Sequence, residues 1–354
     1  MPVPDKKEIT ERQYDGPYVF YKKKEIYVKY IFEDSLSKVV HTEKIMLSEK
    51  AGLSLTVLTD EPGKTFSVQL KDKLQVEKTD FEKPGKLVAI SDIEGNFTAF
   101  RELLEQCGVI DTSYNWTFGN GHLVLLGDFF DRGDNVTEVL WLIYSLEEKA
   151  KAAGGYVHFI LGNHEIMNLS GDIRYLSLKY VHNAKLLDEN YSYGLLGKNS
   201  ELGRWLRTKN VIEKIGDILF VHAGISVEMN RMYVPSLTRI NELARPYYSD
   251  RTYIYNDQRL QVIFGESGPL WYRGYYTGKQ LAPIEQIDNT LEIFGVKQII
   301  TGHSLIADTI GIYRDGKVIN LDVHHAGGHS EALFIEEGKE FRISKDGDKY
   351  LLKK

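Results

Sequence analysis

Five apolar runs in this chain end on, or close on, a side chain that can ligate a metal ion. LVAIS (87–91) is followed by Asp92, HLVLLG (122–127) by Asp128, and YVHFILG (156–162) by Asn163. DILFVHAG (217–224) contains His222, and KQIITG (297–302) is followed by His303. Carboxylate and amide oxygens are hard donors and imidazole is a borderline one, so the set suits divalent cations. Asp92, Asp128 and Asn163 are spaced 36 and 35 residues apart, about one strand-helix unit each. That spacing delivers three oxygen ligands to one edge of one sheet, where the crevice beyond the strand ends is the usual ligand position in open α/β sheets.

The intervening segments are built to position those ends. FTAFRELLEQCG and VTEVLWLIYSLEEKAKAAGG carry apolar residues at helical spacing, the second with Val136, Val139, Leu140, Ile143 and Leu146 on one face and Gly154-Gly155 as a stop. Continuous apolar runs alternating with helices imply buried strands joined by right-handed crossovers. The first 84 residues read differently. YVFYKKKEIYVKYIF (18–32), KVVHTEKIML (38–47), LSLTVLTD (53–60) and KTFSVQLK (64–71) are rich in Val, Ile, Tyr, Phe and Thr and are broken by turn-formers such as Glu61-Pro62-Gly63. A β-rich module over 1–84 and an α/β domain over 85–354 are therefore expected.

Composition narrows the classes. With 42% hydrophobic and 27% charged residues the chain is an ordinary globular protein. A net charge of -6 argues against broad neutralisation of nucleic-acid phosphates, although local metal charge could still hold a phosphorylated ligand. No run approaches the ~20 apolar residues of a membrane helix. MPVPDKKEIT has no apolar core, so the expected location is cytoplasmic, or periplasmic or secreted if a leader precedes these residues. The single cysteine, Cys107, allows no internal disulfide. Six residues on stands Ser113 rather than the arginine a thiolate phosphatase needs, and Cys107 reads as a buried helix-end residue.

GDFFDRG (127–133), GNHE (162–165), FVHAG (220–224) and TGHS (301–304), in this order, resemble the phosphoprotein-phosphatase branch of the calcineurin-like metallophosphoesterases. GNHEIMNLSGDIRYL (162–176) and GPLWYRGY (268–275), with DGPYVFY (15–21) as a weaker extension, are more narrowly similar to the bacterial Shewanella-like phosphatases. The resemblance implies a two-layered β-sandwich flanked by helices (α-β-β-α). It implies hydrolysis of phosphomonoesters on phosphoproteins, at Ser/Thr or Tyr, by a hydroxide held between two metal ions. Asp128 would bridge the two ions, since a carboxylate offers one oxygen to each. Asp92 would complete the first site, and Asn163, His222 and His303 the second. His164 would protonate the leaving oxygen, oriented and charged by Asp131. Arg132 and Arg273 would hold phosphate oxygens.

One position departs from the family pattern. Where the first motif carries a histidine two residues after its aspartate, SDIEGN (91–96) has Glu94. As a ligand it would give the first site three carboxylates and favour Mn, Mg or Ca over Zn, with Fe also within the range of the second site. The other reading turns Glu94 away from the metal. Arg174 is read as helix packing or a lid salt bridge ahead of a phosphate contact, and His122 and His158 as structural. His324, His325 and His329 form a cluster expected to line the rim. The insertions 174–210 and 225–292 carry Tyr175, Tyr180, Tyr191, Tyr193, Tyr247, Tyr248, Tyr253 and Tyr255, which either pack helices or wall a cleft beside Trp271-Tyr272. The rival enzymatic reading is hydrolysis of a nucleotide such as a dinucleoside polyphosphate; the rival from another class is a non-catalytic binding protein on a phosphatase scaffold.

Overall fold

The computed structural model describes residues 13–33, 37–232, 236–252, 256–277 and 281–353. β1 (Gln13–Lys22), β2 (Glu25–Glu33) and β3 (Lys38–Met46) form an antiparallel sheet, and β4 (Ser54–Leu58) pairs with β5 (Thr65–Gln69) as a hairpin. Alternation drives the hairpin: Leu55 and Val57 lie opposite Val68 and Phe66, and all four are buried.

The remaining strands are β6 (Asp80–Phe81), β7 (Lys86–Ile90), β8 (His122–Leu125), β9 (Tyr156–Phe159), β10 (Ile212–Ile215) and β11 (Ile218–Val221). They continue with β12 (Gln298–Thr301), β13 (Gly311–Tyr313), β14 (Val318–Asn320), β15 (Glu331–Glu336), β16 (Lys339–Ser344) and β17 (Lys349–Lys353). Two six-stranded sheets result, in the orders β17-β16-β15-β7-β8-β9 and β13-β14-β12-β11-β10-β6. The parallel strands expected from the apolar runs are β7, β8 and β9 in one sheet and β11 and β12 in the other, where the short β14 joins them in parallel. The flanks are antiparallel: β15 to β17 extend the first sheet, and β10 turns back against β11 in the second.

Period-two burial on both faces explains the layering. Leu87, Ala89 and Val124 point into one apolar cluster with Phe220, Ile300 and Ile319 of the opposite sheet. Val88, Ile90, Leu123, Leu125, Leu219 and Ile299 point the other way, into the larger cluster that contains Phe100 and Leu103 of the helix Phe97–Gln106 and Val139, Leu140 and Ile143 of the helix Val136–Ala152. The sandwich of two sheets with helices outside is thus the expected architecture. Asn96 starts the first helix by accepting from Ala99 N, 3.1 Å away, and the second ends two residues before Gly154, whose φ is +79°.

The N-terminal strands are fastened to the first insertion. Asp15 is buried and accepts from Tyr18 Oη at 2.8 Å and from Asn183 Nδ2, with Lys179 Nζ 3.5 Å away. Lys29 Nζ donates to Leu187 O at 2.9 Å. Among the described residues no helix is long and apolar enough to cross a membrane.

Candidate active site

Asp92 follows β7, Asp128 follows β8 and Asn163 follows β9, so three neighbouring parallel strands of one sheet end in side chains that carry ligand-type oxygens. His222 follows β11 and His303 follows β12, the neighbouring parallel strands of the facing sheet. All five residues are buried. Ligand atoms of Asp128, His222 and His303 lie within 4.8 Å of one another. One polar atom of the Asn163 amide stands 3.0 Å from His222 Nε2, 2.8 Å from His303 Nδ1 and 3.3 Å from Asp128 Oδ2. As oxygen it faces acceptors, a conflict that a cation among these four atoms would remove. His303 Nε2 is buried with no hydrogen-bond partner. Crowded acceptors of mixed oxygen and imidazole type, short of donors, are a donor set that fits divalent metal ions.

The backbone is bent to bring these groups together. Asp92, Glu94, Asp128, Asp131, Arg132 and His303 all have φ between +51° and +71°, a region that costs a non-glycine residue about 1–3 kcal/mol. The loops after β7 and β8 hold one another there. Asp92 N donates to Gly127 O, Glu94 N to Asp128 O, and Gly133 N to Glu94 O, at 3.0, 2.9 and 2.9 Å. Gly302 sits so close to Asp92 that a Cβ would run into Ser91 Oγ and Asp92 Oδ2. The His303 N–H donates to the Asp92 carboxylate at 3.1 and 3.3 Å, which ties the two sheets together at the site.

A buried carboxylate that did not stand out in the sequence organises this rim. Glu165 accepts from Asp128 N at 2.9 Å, Phe129 N at 2.7 Å and Gly162 N at 2.7 Å. Burial, followed by the charge of Asp128, pushes its pKa up to about 7. Its only signal in the sequence is its place as the third residue of a helix beginning after Gly162, where a carboxylate reads as an ordinary cap. In Glu165→Gln the amide group would face one of these N–H donors. A buried donor left unsatisfied costs about 1–3 kcal/mol, so a lower midpoint in thermal unfolding is expected, with metal affinity about 10–100-fold weaker by titration. Unchanged values on both counts would remove this role.

Burial and mutual charge set the titration of these groups apart. Burial opposes ionisation of Asp128, but the His222 and His164 rings outweigh it and hold its pKa below the usual carboxylate range. Burial likewise pulls His222 down while Asp128, 3.1 Å from its Nε2, and Asp92 push it up to about 10. Asp92 is raised to about 6, mainly by burial. Asp322 was not singled out by the sequence reading; burial and the nearby Asp92 and Asp128 push it up to about 9.

His164 Nδ1 lies 2.6 Å from Asp131 Oδ2. That contact makes Nδ1 the donor and leaves Nε2 turned to the other side of the ring, 3.8 Å from Asp128 Oδ2. Arg273 donates to His303 O at 2.7 Å and Ser304 Oγ at 3.2 Å. Arg132 is 54% exposed and pairs with Glu94. A cavity of about 470 Å³ has Asp92, Asp128, Asn163, His164, Arg132 and Arg273 in its lining, together with Glu94, His303, Tyr175, Trp271 and Asp322.

The structure distributes the other residues unevenly. Glu94 has Arg132 as its charge partner among the described residues, and is not one of the three residues of the close ligand cluster. Arg174 pairs with Asp172 through two 2.8 Å bonds on the surface. His158 bonds Glu213 and His122, at 2.8 and 2.9 Å, away from the site. His324 and His325 line the cavity, while His329 is exposed and 3.9 Å from Asp308. Tyr180, Tyr191 and Tyr248 are buried packing residues; Tyr175 is the tyrosine of the insertions that reaches the cavity wall. Tyr253 and Tyr255 lie outside the described residues. Burial raises the Cys107 thiol to about 12, which makes it unreactive.

The calcineurin-like phosphoesterase family model matches residues 85–307, which contain every residue expected as a metal ligand. The chain belongs to the calcineurin-like phosphoesterases. This calcineurin-like phosphoesterase is similar in structure to a cold-active protein-tyrosine phosphatase of a psychrophilic Shewanella species. The two are 34% identical, with a TM-score of 0.85 over 96% of this chain and 99% of that one. It is also similar to Shewanella-like protein phosphatase 2 of Arabidopsis thaliana, 27% identical over 73% of this chain and 76% of the relative. A shorter likeness, 33% identical over 39% of this chain and 44% of the relative, is to the symmetrical bis(5'-nucleosyl)-tetraphosphatase of Aromatoleum aromaticum. The family expected from GDFFDRG and GNHE is therefore the family found.

Proposed function

We propose that this calcineurin-like phosphoesterase is a metal-dependent phosphatase that hydrolyses phosphomonoesters on phosphoproteins. The observation that carries the reading is one cavity lined by Asp92, Asp128, Asn163 and His303, by His164 with its buried partner Asp131, and by two arginines. Asp128 would serve both metal positions, with Asp92 on one side and Asn163, His222 and His303 on the other. Manganese suits this donor set, with Fe, Zn, Mg or Ca as other candidates. Two such ions would supply an acidified water and positive charge for the phosphoryl oxygens.

The chain's own groups account for the rest. Arg273, braced by His303 O and Ser304 Oγ, presents its remaining N–H groups to phosphate. Arg132 would exchange its bond to Glu94 for a phosphate oxygen, and the Glu94 carboxylate would keep that guanidinium near the mouth between turnovers. His164 would hold a proton on Nε2 and deliver it to the leaving oxygen, with Asp131 stabilising the charged ring. Trp271 and Tyr175 give the cavity aromatic walls, which suit an aryl phosphate, and the structurally similar Shewanella protein is a protein-tyrosine phosphatase.

The test removes bound metal with EDTA, restores Mn²⁺, and compares phosphotyrosyl, phosphoseryl and phosphothreonyl peptides with diadenosine tetraphosphate. Metal-restored release of phosphate from the peptides is expected. Cleavage of the dinucleotide alone would favour the nucleotide reading, and binding of phosphopeptides without turnover would favour a non-catalytic scaffold.

A further inference from the structure

Outside the expected ligand set, a further carboxylate stands on the same rim. β14 is the third parallel strand of the second sheet, beside β12, and it ends at Asn320. β11, β12 and β14 are thus followed by His222, His303 and Asp322, as β7, β8 and β9 are followed by Asp92, Asp128 and Asn163. Asp322 is only 8% exposed and lines the cavity that also contains Asp92 and Asp128. Its backbone N–H bonds Asn320 Oδ1 at 3.1 Å. Among the described residues nothing donates to its carboxylate, and no ion pair reaches it. A buried carboxylate normally has donors or a counter-charge. Here its strongest charged neighbours are two more carboxylates, Asp92 and Asp128, which outweigh the more weakly felt His222 and Arg273. The loop that carries it is fixed in place: His325 Nε2 is 3.0 Å from Ser91 O, next to Asp92, and its Nδ1 is 3.1 Å from Ser330 Oγ.

Glu94, the other carboxylate available to the first metal position, is held by Arg132. We propose that Asp322 is a ligand of the first metal position, completing it with Asp92 and Asp128. The inference rests on the dimetal reading above. Asp322 would supply that position's third negative oxygen from the same cavity wall, and Glu94 serves Arg132.

The experiment measures Mn²⁺ stoichiometry and affinity by titration calorimetry and elemental analysis in wild type, Asp322→Asn and Glu94→Gln. The EPR spectrum of the loaded proteins is recorded in parallel. Wild type is expected to bind two ions with the exchange-coupled signal of a Mn²⁺ pair. In Asp322→Asn one site should weaken by at least about 100-fold, given that outer-sphere changes alone cost about 10–100-fold. The six-line signal of an isolated ion should then replace the coupled one. Glu94→Gln should retain both ions. A second readout needs no metal: in EDTA, Asp322→Asn should melt at or above the wild-type temperature, because an unpaired buried carboxylate beside two others is removed. With Mn²⁺ present it should melt below wild type, since it binds less ligand in the native state. Two ions held by Asp322→Asn as tightly as by wild type would overturn the assignment, and so would a melting temperature in EDTA well below wild type. Fewer than two ions in wild type would bring down the dimetal reading itself, before any variant is compared.

Discussion

Asp128→Asn is expected to lose both metal ions and about 10³-fold or more of kcat/KM, the scale of removing a principal transition-state charge partner. The reason lies in the two carboxylate oxygens. Oδ1 accepts from His164 N at 2.9 Å, and Oδ2 is 3.1 Å from His222 Nε2. An amide keeps the shape but offers one oxygen, so it cannot serve two ions and brings an NH₂ group against the cluster. Elemental analysis after dialysis gives the metal content, and circular dichroism establishes that the variant is folded. Two tightly held ions in folded Asp128→Asn would contradict the bridging role.

His164→Ala should cost about 10²–10⁴ in kcat on phosphoserine peptides while leaving metal content unchanged. The loss should shrink with an aryl phosphate such as p-nitrophenyl phosphate, because a phenolate leaves without a proton. Equal losses on both substrates would assign His164 to binding or structure instead. The pH profile gives an independent reading of the same group. Burial lowers the His164 pKa, but the charge of Asp128 and the hydrogen bond to Asp131 more than offset it, so the net shift from 6.5 is upward. A donor whose pKa is raised is protonated below that pKa and loses its proton as pH climbs through it. The basic limb of kcat should therefore move to lower pH in Asp131→Asn, where the carboxylate's contribution is gone. A limb that stayed in place would separate Asp131 from proton transfer.

Much of this site was legible in the sequence because its candidate ligands share one grammar: a buried strand is an apolar run, and a polar residue just beyond it stands at the crevice. That is how Asp92, Asp128, Asn163 and His303 could be placed, and why His222 stood out as the polar residue closing its run. Asp322 escaped the same rule because β14 is only Val318–Asn320, too short for its apolar stretch to stand apart from DVHHAGG. The histidines that follow it drew attention instead, and one of them, His325, is a buried brace. Glu165 escaped for a different reason. Its partners are backbone N–H groups of Asp128 and Phe129, 37 and 36 residues earlier, and no pattern of side chains reports a backbone donor. Glu94 was read as a ligand or a residue turned aside; its pairing with Arg132 depends on left-handed backbone at both positions, which residue type alone does not predict. The antiparallel flanks of both sheets were hidden because local alternation specifies a strand and not its partner.

The anchorage of Asp15 has a consequence for what this cleft admits. Tyr175 O accepts from Arg132 N at 3.0 Å, and a few residues further along the same segment Lys179 and Asn183 are gripped by Asp15 deep beneath the N-terminal strands. Opening that flank would strand a carboxylate in the interior, a costly excursion. The segment that carries Tyr175 to the cavity wall is therefore tied to the N-terminal strands. Under the proposed function, a phosphate on a pliant tail or loop should be a better substrate than one on a rigid globular face, so accessibility on the target would become part of selection.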